Sequence, residues 1–179
     1  MDQPTKFHAS RNRRQLLALL IAAVWLLITL LTLWWFKYQY VGDFQERWVD
    51  FDMTLLLKHP EKPQQGYAKI VHYLDPSCPC TRFAYAHIKD IEQQLELDAE
   101  FQTVTPESAP RVRKVPASPA VAIWDRDGAL AYFGPYSSGF LCGQGEDLVM
   151  TVVEFLQRGD NPEWINQQAV GCFCEWPVN

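Results

Sequence analysis

The sequence predicts an α/β domain, a central mixed sheet flanked by helices, carried behind one N-terminal transmembrane helix. Three observations predict it. Residues 16–36 run without a formal charge and are rich in Leu, Ile and Trp. An apolar run of strand length, 67–74, passes through Asp75-Pro76-Ser77 into Cys78-Pro79-Cys80 and a helix-periodic stretch, 81–95. Beyond it, residues 120–158 read as strand, hairpin, strand and helix.

At about 1.5 Å per residue the apolar block spans roughly 30 Å, the thickness of a bilayer core. Its polar residues are only Thr29 and Thr32, too few for the wet face of a soluble helix. Trp34, Trp35, Tyr38 and Tyr40 gather at its far end, as an aromatic belt does. Residues 1–15 carry Lys6, Arg11, Arg13 and Arg14 against Asp2, whereas Lys37 alone follows the block. The positive-inside bias therefore places residues 1–15 in the cytoplasm and everything after residue 36 across the membrane. The block is too long for the apolar region of a cleaved signal, and no small-x-small cleavage pattern follows it. A retained single-pass anchor in a bacterial inner membrane, with a periplasmic C-terminal domain, is the expectation.

The formal charge of −5 divides unevenly, net +3 over residues 1–15 and net −8 over the rest. An acidic outer domain argues against nucleic acid as a partner. All five cysteines, Cys78, Cys80, Cys142, Cys172 and Cys174, fall on the outer side. A periplasm lets disulfides persist.

Residues 37–66 read as a juxtamembrane helix and linker. Phe44, Trp48, Phe51 and Leu55 share one face of an amphipathic helix over 43–58, which ends at His59-Pro60. Residues 67–158 read as the domain proper. The helix over 81–95 puts Phe83, Ala84, His87, Ile88, Ile91 and Leu95 on one side, His87 at the core edge. A short strand follows at 100–105, then a proline-rich loop over 105–119. Residues 120–124 and 129–133 are strands about an Asp125-Arg126-Asp127-Gly128 turn. Residues 134–145 are irregular. Residues 146–158 form a helix, with Glu146 and Asp147 suited to its dipole and Gly159-Asp160-Asn161-Pro162 as its stop. Residues 159–179 are a cysteine-containing tail. Arg111, Arg113 and Lys114 make a solvated basic loop.

Two thiols where a strand meets a helix point to redox chemistry. Free N–H groups and the macrodipole at a helix start favour a thiolate. Pro79 suits the first helical position, so Cys78 is expected to cap the helix and to act as nucleophile, with Cys80 resolving. A Cys78–Cys80 disulfide would close a small, strained ring, which predicts an oxidant or isomerase bias. His72 is a possible proton relay, or a strand histidine with a satisfied hydrogen bond. Cys172-Phe173-Cys174 repeats the one-residue spacing, and in an extended segment its two thiols face one partner. Three arrangements of these auxiliary thiols are open. Cys142 staples the tail through Cys172 or Cys174, the tail pair exchanges with Cys78 and Cys80, or the two pairs hold a soft metal. Five is odd, so one thiol stays free or pairs between chains.

The order of these elements, the cysteine pair after the first core strand and Ser118-Pro119 just before the hairpin resemble the thioredoxin fold over roughly residues 67–158. With the tether, the chain is similar to membrane-anchored thioredoxin-like proteins of the bacterial envelope. The resemblance implies that Pro119 is a cis-proline packed against Cys78, Pro79 and Cys80 and shaping a substrate groove. Thioredoxin-like enzymes usually carry Cys-x-x-Cys, and thioredoxin has a buried acid where His72 stands here. The expected activity is thiol–disulfide exchange on periplasmic protein thiols and disulfides, as an oxidoreductase or isomerase, with the redox partner unspecified. It needs no organic cofactor, and no metal is assigned. The alternatives are a copper-handling thiolate module and a non-catalytic interaction domain.

Overall fold

Two units make up the chain, Met1–Gln39 and Tyr40–Asn179. The computed structural model describes residues 5–44, 67–95, 98–108, 117–139, 145–166 and 168–177. The first unit is helical. Helix α1 (Thr5–Tyr40) contains one segment, Arg13–Tyr40, long and apolar enough to cross a membrane. The two threonines of the apolar block turn back on their own helix. Thr29 Oγ1 donates to the Trp25 carbonyl at 2.9 Å and Thr32 Oγ1 to the Thr29 carbonyl at 2.8 Å. Where no water is at hand, helix carbonyls take these protons. Trp34 and Tyr38 stack with ring centroids 5.9 Å apart.

The second unit begins with β1 (Val41–Asp43). The amphipathic helix expected over 43–58 meets a different structure at its first two residues, and its remainder lies outside the described residues. Asp43 ends β1, and Phe44 is fully buried against Phe133 and Phe173. The basic loop of Arg111, Arg113 and Lys114 also lies outside the described residues.

The central sheet has five strands in the order β3-β2-β5-β6-β7. They are β2 (Ala68–Tyr73), β3 (Ala99–Val104), β5 (Ala120–Trp124), β6 (Leu130–Gly134) and β7 (Trp164–Ile165). Strand β2 is parallel to β3 and antiparallel to β5; β5 is antiparallel to β6, and β6 parallel to β7. Strands β2 and β5 are buried throughout, as central strands covered on both faces are. Alternation divides their side chains. Ile70, Val121 and Ile123 pack with Ala84, Ile88, Ile91, Val149 and Val152 from α2 (Thr81–Gln94) and α3 (Leu148–Gln157). Val71, Tyr73, Ala120, Ala122 and Trp124 pack on the other face with Phe44, Phe173 and Trp176.

Short strands outside the main sheet were not foreseen. Strand β4 (Ala117–Ser118) ends the stretch expected as loop and pairs with β9 (Cys174–Glu175). Strand β8 (Val170–Cys172) pairs antiparallel with β1, Val41 opposite Cys172. The tail is thus built into the domain at both ends of Cys172-Phe173-Cys174.

Local chemistry fixes the remaining boundaries. Asp125 holds the hairpin turn by accepting from the N–H groups of Asp127 (3.0 Å) and Ala129 (2.8 Å). Helix α3 starts at Leu148, two residues after the expected start, because Asp147 caps it by accepting from Met150 N at 2.9 Å. It ends where Gly159 takes φ +84°, with Asp160 N–H reaching the Phe155 carbonyl and Gly159 N–H the Leu156 carbonyl.

Candidate functional site

The cysteines stand where β2 hands over to α2. Asp75 is buried, and its Oδ1 accepts from the Ser77 N–H at 2.8 Å and the Ser77 hydroxyl at 2.7 Å. Cys78 N–H bonds the Asp75 carbonyl, and Thr81 N–H the Cys78 carbonyl at 3.2 Å. Two turns therefore follow one another, with Pro79 in the second, where its fixed φ suits a turn. This shifts the helix start. Cys80, not Cys78, occupies the cap position, and it makes no side-chain capping bond. Helix-start stabilisation of a thiolate consequently falls to Cys80 rather than to Cys78.

Ser118 ties this loop to β4. Its Oγ accepts from the Asp75 N–H at 2.7 Å and lies 3.1 Å from Thr81 Oγ1, and its carbonyl oxygen is 3.6 Å from Cys78 Sγ. The Ser118–Pro119 peptide is cis. Ser118 is fully buried, and sequence reasoning passed over it in favour of Pro119. Its partners are 37 to 43 residues away, so no local signal marks it.

Two disulfides cross-link the loop to the tail, Cys78–Cys174 and Cys80–Cys172. Their Cα–Cα separations, 6.0 Å and 5.6 Å, lie in the usual disulfide range. Outer joins outer and inner joins inner, the pairing of two antiparallel Cys-x-Cys segments. Neither bond closes the Cys78–Cys80 ring, so the strain argument for an oxidant bias loses its basis. The staple expected from Cys142 is overturned for Cys172 and Cys174, which are taken; Cys142 itself lies outside the described residues. The thiols are also covered. Cys78 is 4% exposed, Cys80 1% and Cys172 6%, and only Cys174 is half-buried. Cys78, expected to act as nucleophile, is thus buried and bonded to Cys174. The Sγ atoms of Cys78, Cys80 and Cys174 nevertheless lie within 4.8 Å of one another.

His72 is buried in a different network. Its Nδ1 meets the Tyr136 hydroxyl at 2.7 Å, and its ring lies nearly parallel to those of Tyr136 and Phe101, with centroids 5.8 Å and 6.1 Å away. Nε2 is 3.5 Å from Glu92 Oε1 and has no hydrogen-bond partner. Burial lowers its pKa to about 4, so the ring is neutral near pH 7 and the Glu92 contact is not then an ion pair. These partners include no cysteine, and nothing in them supports the proton-relay expectation. His87 Nε2 lies 3.5 Å from Asp147 Oδ2, and its ring meets the Tyr136 ring edge-on. One cavity among the described residues is lined by Asp125, Arg126, Asp127 and Asp160. It sits at the hairpin end of β5, whereas the cysteines sit beside the other end; a smaller one there is lined by Pro119, Tyr136, Cys172 and Phe173.

No curated protein matches the chain. It is similar in structure to a hypothetical protein from Sinorhizobium meliloti 1021, with 15% identity and a TM-score of 0.41, covering 64% of this chain and 82% of that one. It is also similar to an uncharacterized conserved protein from Geobacillus kaustophilus, with 12% identity and a TM-score of 0.44, covering 79% and 88%. Residues 49–176 span the cysteine loop, the sheet and the cross-linked tail, and they match a domain of unknown function, DUF6436. The chain belongs to the DUF6436 family.

Proposed function

We propose that this chain is a membrane-tethered thiol–disulfide exchange protein whose thioredoxin-like domain faces the bacterial periplasm and acts on protein thiols there. The observation that carries the reading is the clustering of three sulfurs from two different disulfides within 4.8 Å. Thiol–disulfide exchange passes from sulfur to sulfur through a mixed disulfide, and neighbouring sulfurs let it continue inward. The sheet order β3-β2-β5-β6, with a cysteine loop between β2 and α2 and Pro119 beside β5, supports the thioredoxin-like assignment. The apolar helix before the domain supports the tether, and basic residues before that helix support the orientation.

Entry is through Cys174, the least buried of the four cysteines. A client thiolate attacks Cys174 Sγ, the Cys78–Cys174 bond breaks, and Cys78 leaves as thiolate. A second client thiol displaces Cys174, so the client gains a disulfide and Cys78 and Cys174 hold its two electrons. The Cys78 thiolate then attacks Cys80 Sγ, which forms Cys78–Cys80 and frees Cys172. In this reading Cys78 and Cys80 remain the exchange pair, Pro119 follows β4, on which β9 lies, and the tail is their resident partner. A purely bracing role is the second reading, favoured by the burial of three of the four cysteines.

Mass-spectrometric mapping of the full chain in detergent, equilibrated in graded dithiol–disulfide buffers, separates the two. Exchange predicts that Cys78–Cys174 opens first and that a dicysteine peptide is trapped on Cys174. Two bonds that resist every dithiol leaving the fold intact would establish bracing instead.

A further inference from the structure

We propose that the fully reduced cysteine ladder is a site for a soft, thiophilic cation, monovalent copper, held by the thiolates of Cys78, Cys80 and Cys174. The inference goes beyond exchange and does not need it, since a chain whose bonds only brace it would bind equally once reduced.

Reduction creates the site from groups already in place. Two dithiols, each oxidised to its own disulfide, supply four electrons and four protons, and two S–S bonds become four thiols. The sulfurs of each former pair then separate from bonding to non-bonded distance. A metal with sulfur bonds of about 2.3 Å needs its ligand sulfurs about 4 Å apart in a trigonal set. Three Sγ atoms that already lie within 4.8 Å of one another meet that spacing after small side-chain rotations. The backbone is held from both sides: β9 pairs with β4, β8 with β1, and Ser118 anchors the loop. The three ligands come from a turn and a strand that backbone pairing and the Ser118 hydrogen bond hold alongside the disulfides.

Charge supplies the reason for a cation. Cys78 and Cys80 are almost fully buried, and Cys78 Sγ lies 3.6 Å from the Ser118 carbonyl oxygen, which repels a thiolate. Adjacent buried thiolates are costly unless they protonate or a cation joins them. Soft sulfur ligands select monovalent copper and zinc. Zinc in a closed structural site takes four ligands, whereas three sulfurs lie mutually close here and Cys172 Sγ joins them only through its bond to Cys80. That geometry favours copper. The metal displaces the protons of the thiols it binds.

The full chain in detergent, reduced with a phosphine and freed of it under argon, is titrated with monovalent copper against a chromogenic chelator, and separately with zinc. The expected result is one copper per chain, ultraviolet sulfur-to-copper absorption, and protection of Cys78, Cys80 and Cys174 but not Cys172 from alkylation. The oxidised chain binds none. Cys78→Ser and Cys174→Ser weaken copper binding at least tenfold, and Cys172→Ser changes it less than threefold. Failure of stoichiometric binding overturns the proposal, as does binding indifferent to Cys78→Ser or a preference for zinc with all four thiols protected. Circular dichroism of the reduced chain before metal is added guards the premise: a fold lost on reduction also refutes a preformed site. The dithiol-buffer mapping reads exchange separately, so either idea can fail alone.

Discussion

Replacing Cys78 and Cys174 with alanine removes the outer cross-link and leaves Cys80–Cys172 in place. The two bonds close nested loops, with sequence separations of 96 and 92 residues. A single bond closing a loop of this length lowers the entropy of the unfolded chain by an amount worth about 4.7 kcal/mol. With either bond present, the other closes only a small ring, two or three residues on each side, and the same relation gives about 2 kcal/mol. Each paired substitution alone should therefore cost about 2 kcal/mol, and all four together about 7 kcal/mol, a coupling of about 3 kcal/mol. Alanine is preferred to serine, which would bury an unpaired hydroxyl. The assay is urea unfolding of the full chain in detergent under non-reducing conditions, read by tryptophan fluorescence. Equal, additive losses of about 4.7 kcal/mol would refute the nested pairing, and a combined loss below about 1 kcal/mol would show that the bonds contribute nothing.

Other outcomes follow from single residues. Burial holds the His72 pKa at about 4 against an ordinary value of 6.5, so the unfolded chain binds the extra proton between these values. The associated stability is present above pH 6.5 and is lost as pH falls toward 4, up to about 3 kcal/mol; a gap between wild type and His72→Gln that stays constant over this range refutes it. Asp147→Ala removes the cap of α3 and should cost about 1 kcal/mol in urea unfolding, with Asp147→Asn retaining most of it; equal losses in both would deny the cap. A Cβ at Gly171 would stand 2.6 Å from Phe173 Cζ, a buried ring with little room to move. Gly171→Ala should therefore loosen the tail and speed dithiol opening of Cys78–Cys174 several-fold at unchanged helical circular dichroism, and an unchanged rate would sink that account.

Local signals were strong where one segment carried its own periodicity or turn chemistry. The apolar block 16–36, β2, α2, β5 and β6 were legible because short apolar runs, helical spacing and the Asp125-Gly128 turn each act over a few residues. Boundaries shifted where side chains competed for the backbone, as when Asp147 took the cap of α3 and the turn around Pro79 delayed α2. The strands of the tail were illegible. Val170-Gly171-Cys172 and Cys174-Glu175 are too short to show a period, and each becomes a strand only because β1 or β4 is there to pair with it.

From residue order alone one can read a helix able to span a bilayer, an α/β domain behind it and two Cys-x-Cys segments able to meet. Which sulfur meets which was settled elsewhere. Disulfide partners 92 and 96 residues apart share no local pattern. They are brought together by the sheet that places Ser118 against the cysteine loop and by strands that lay the tail along it antiparallel. Burial follows the same rule, since the fold, and not the order of the cysteines in the chain, leaves Cys78, Cys80 and Cys172 buried and Cys174 half-buried.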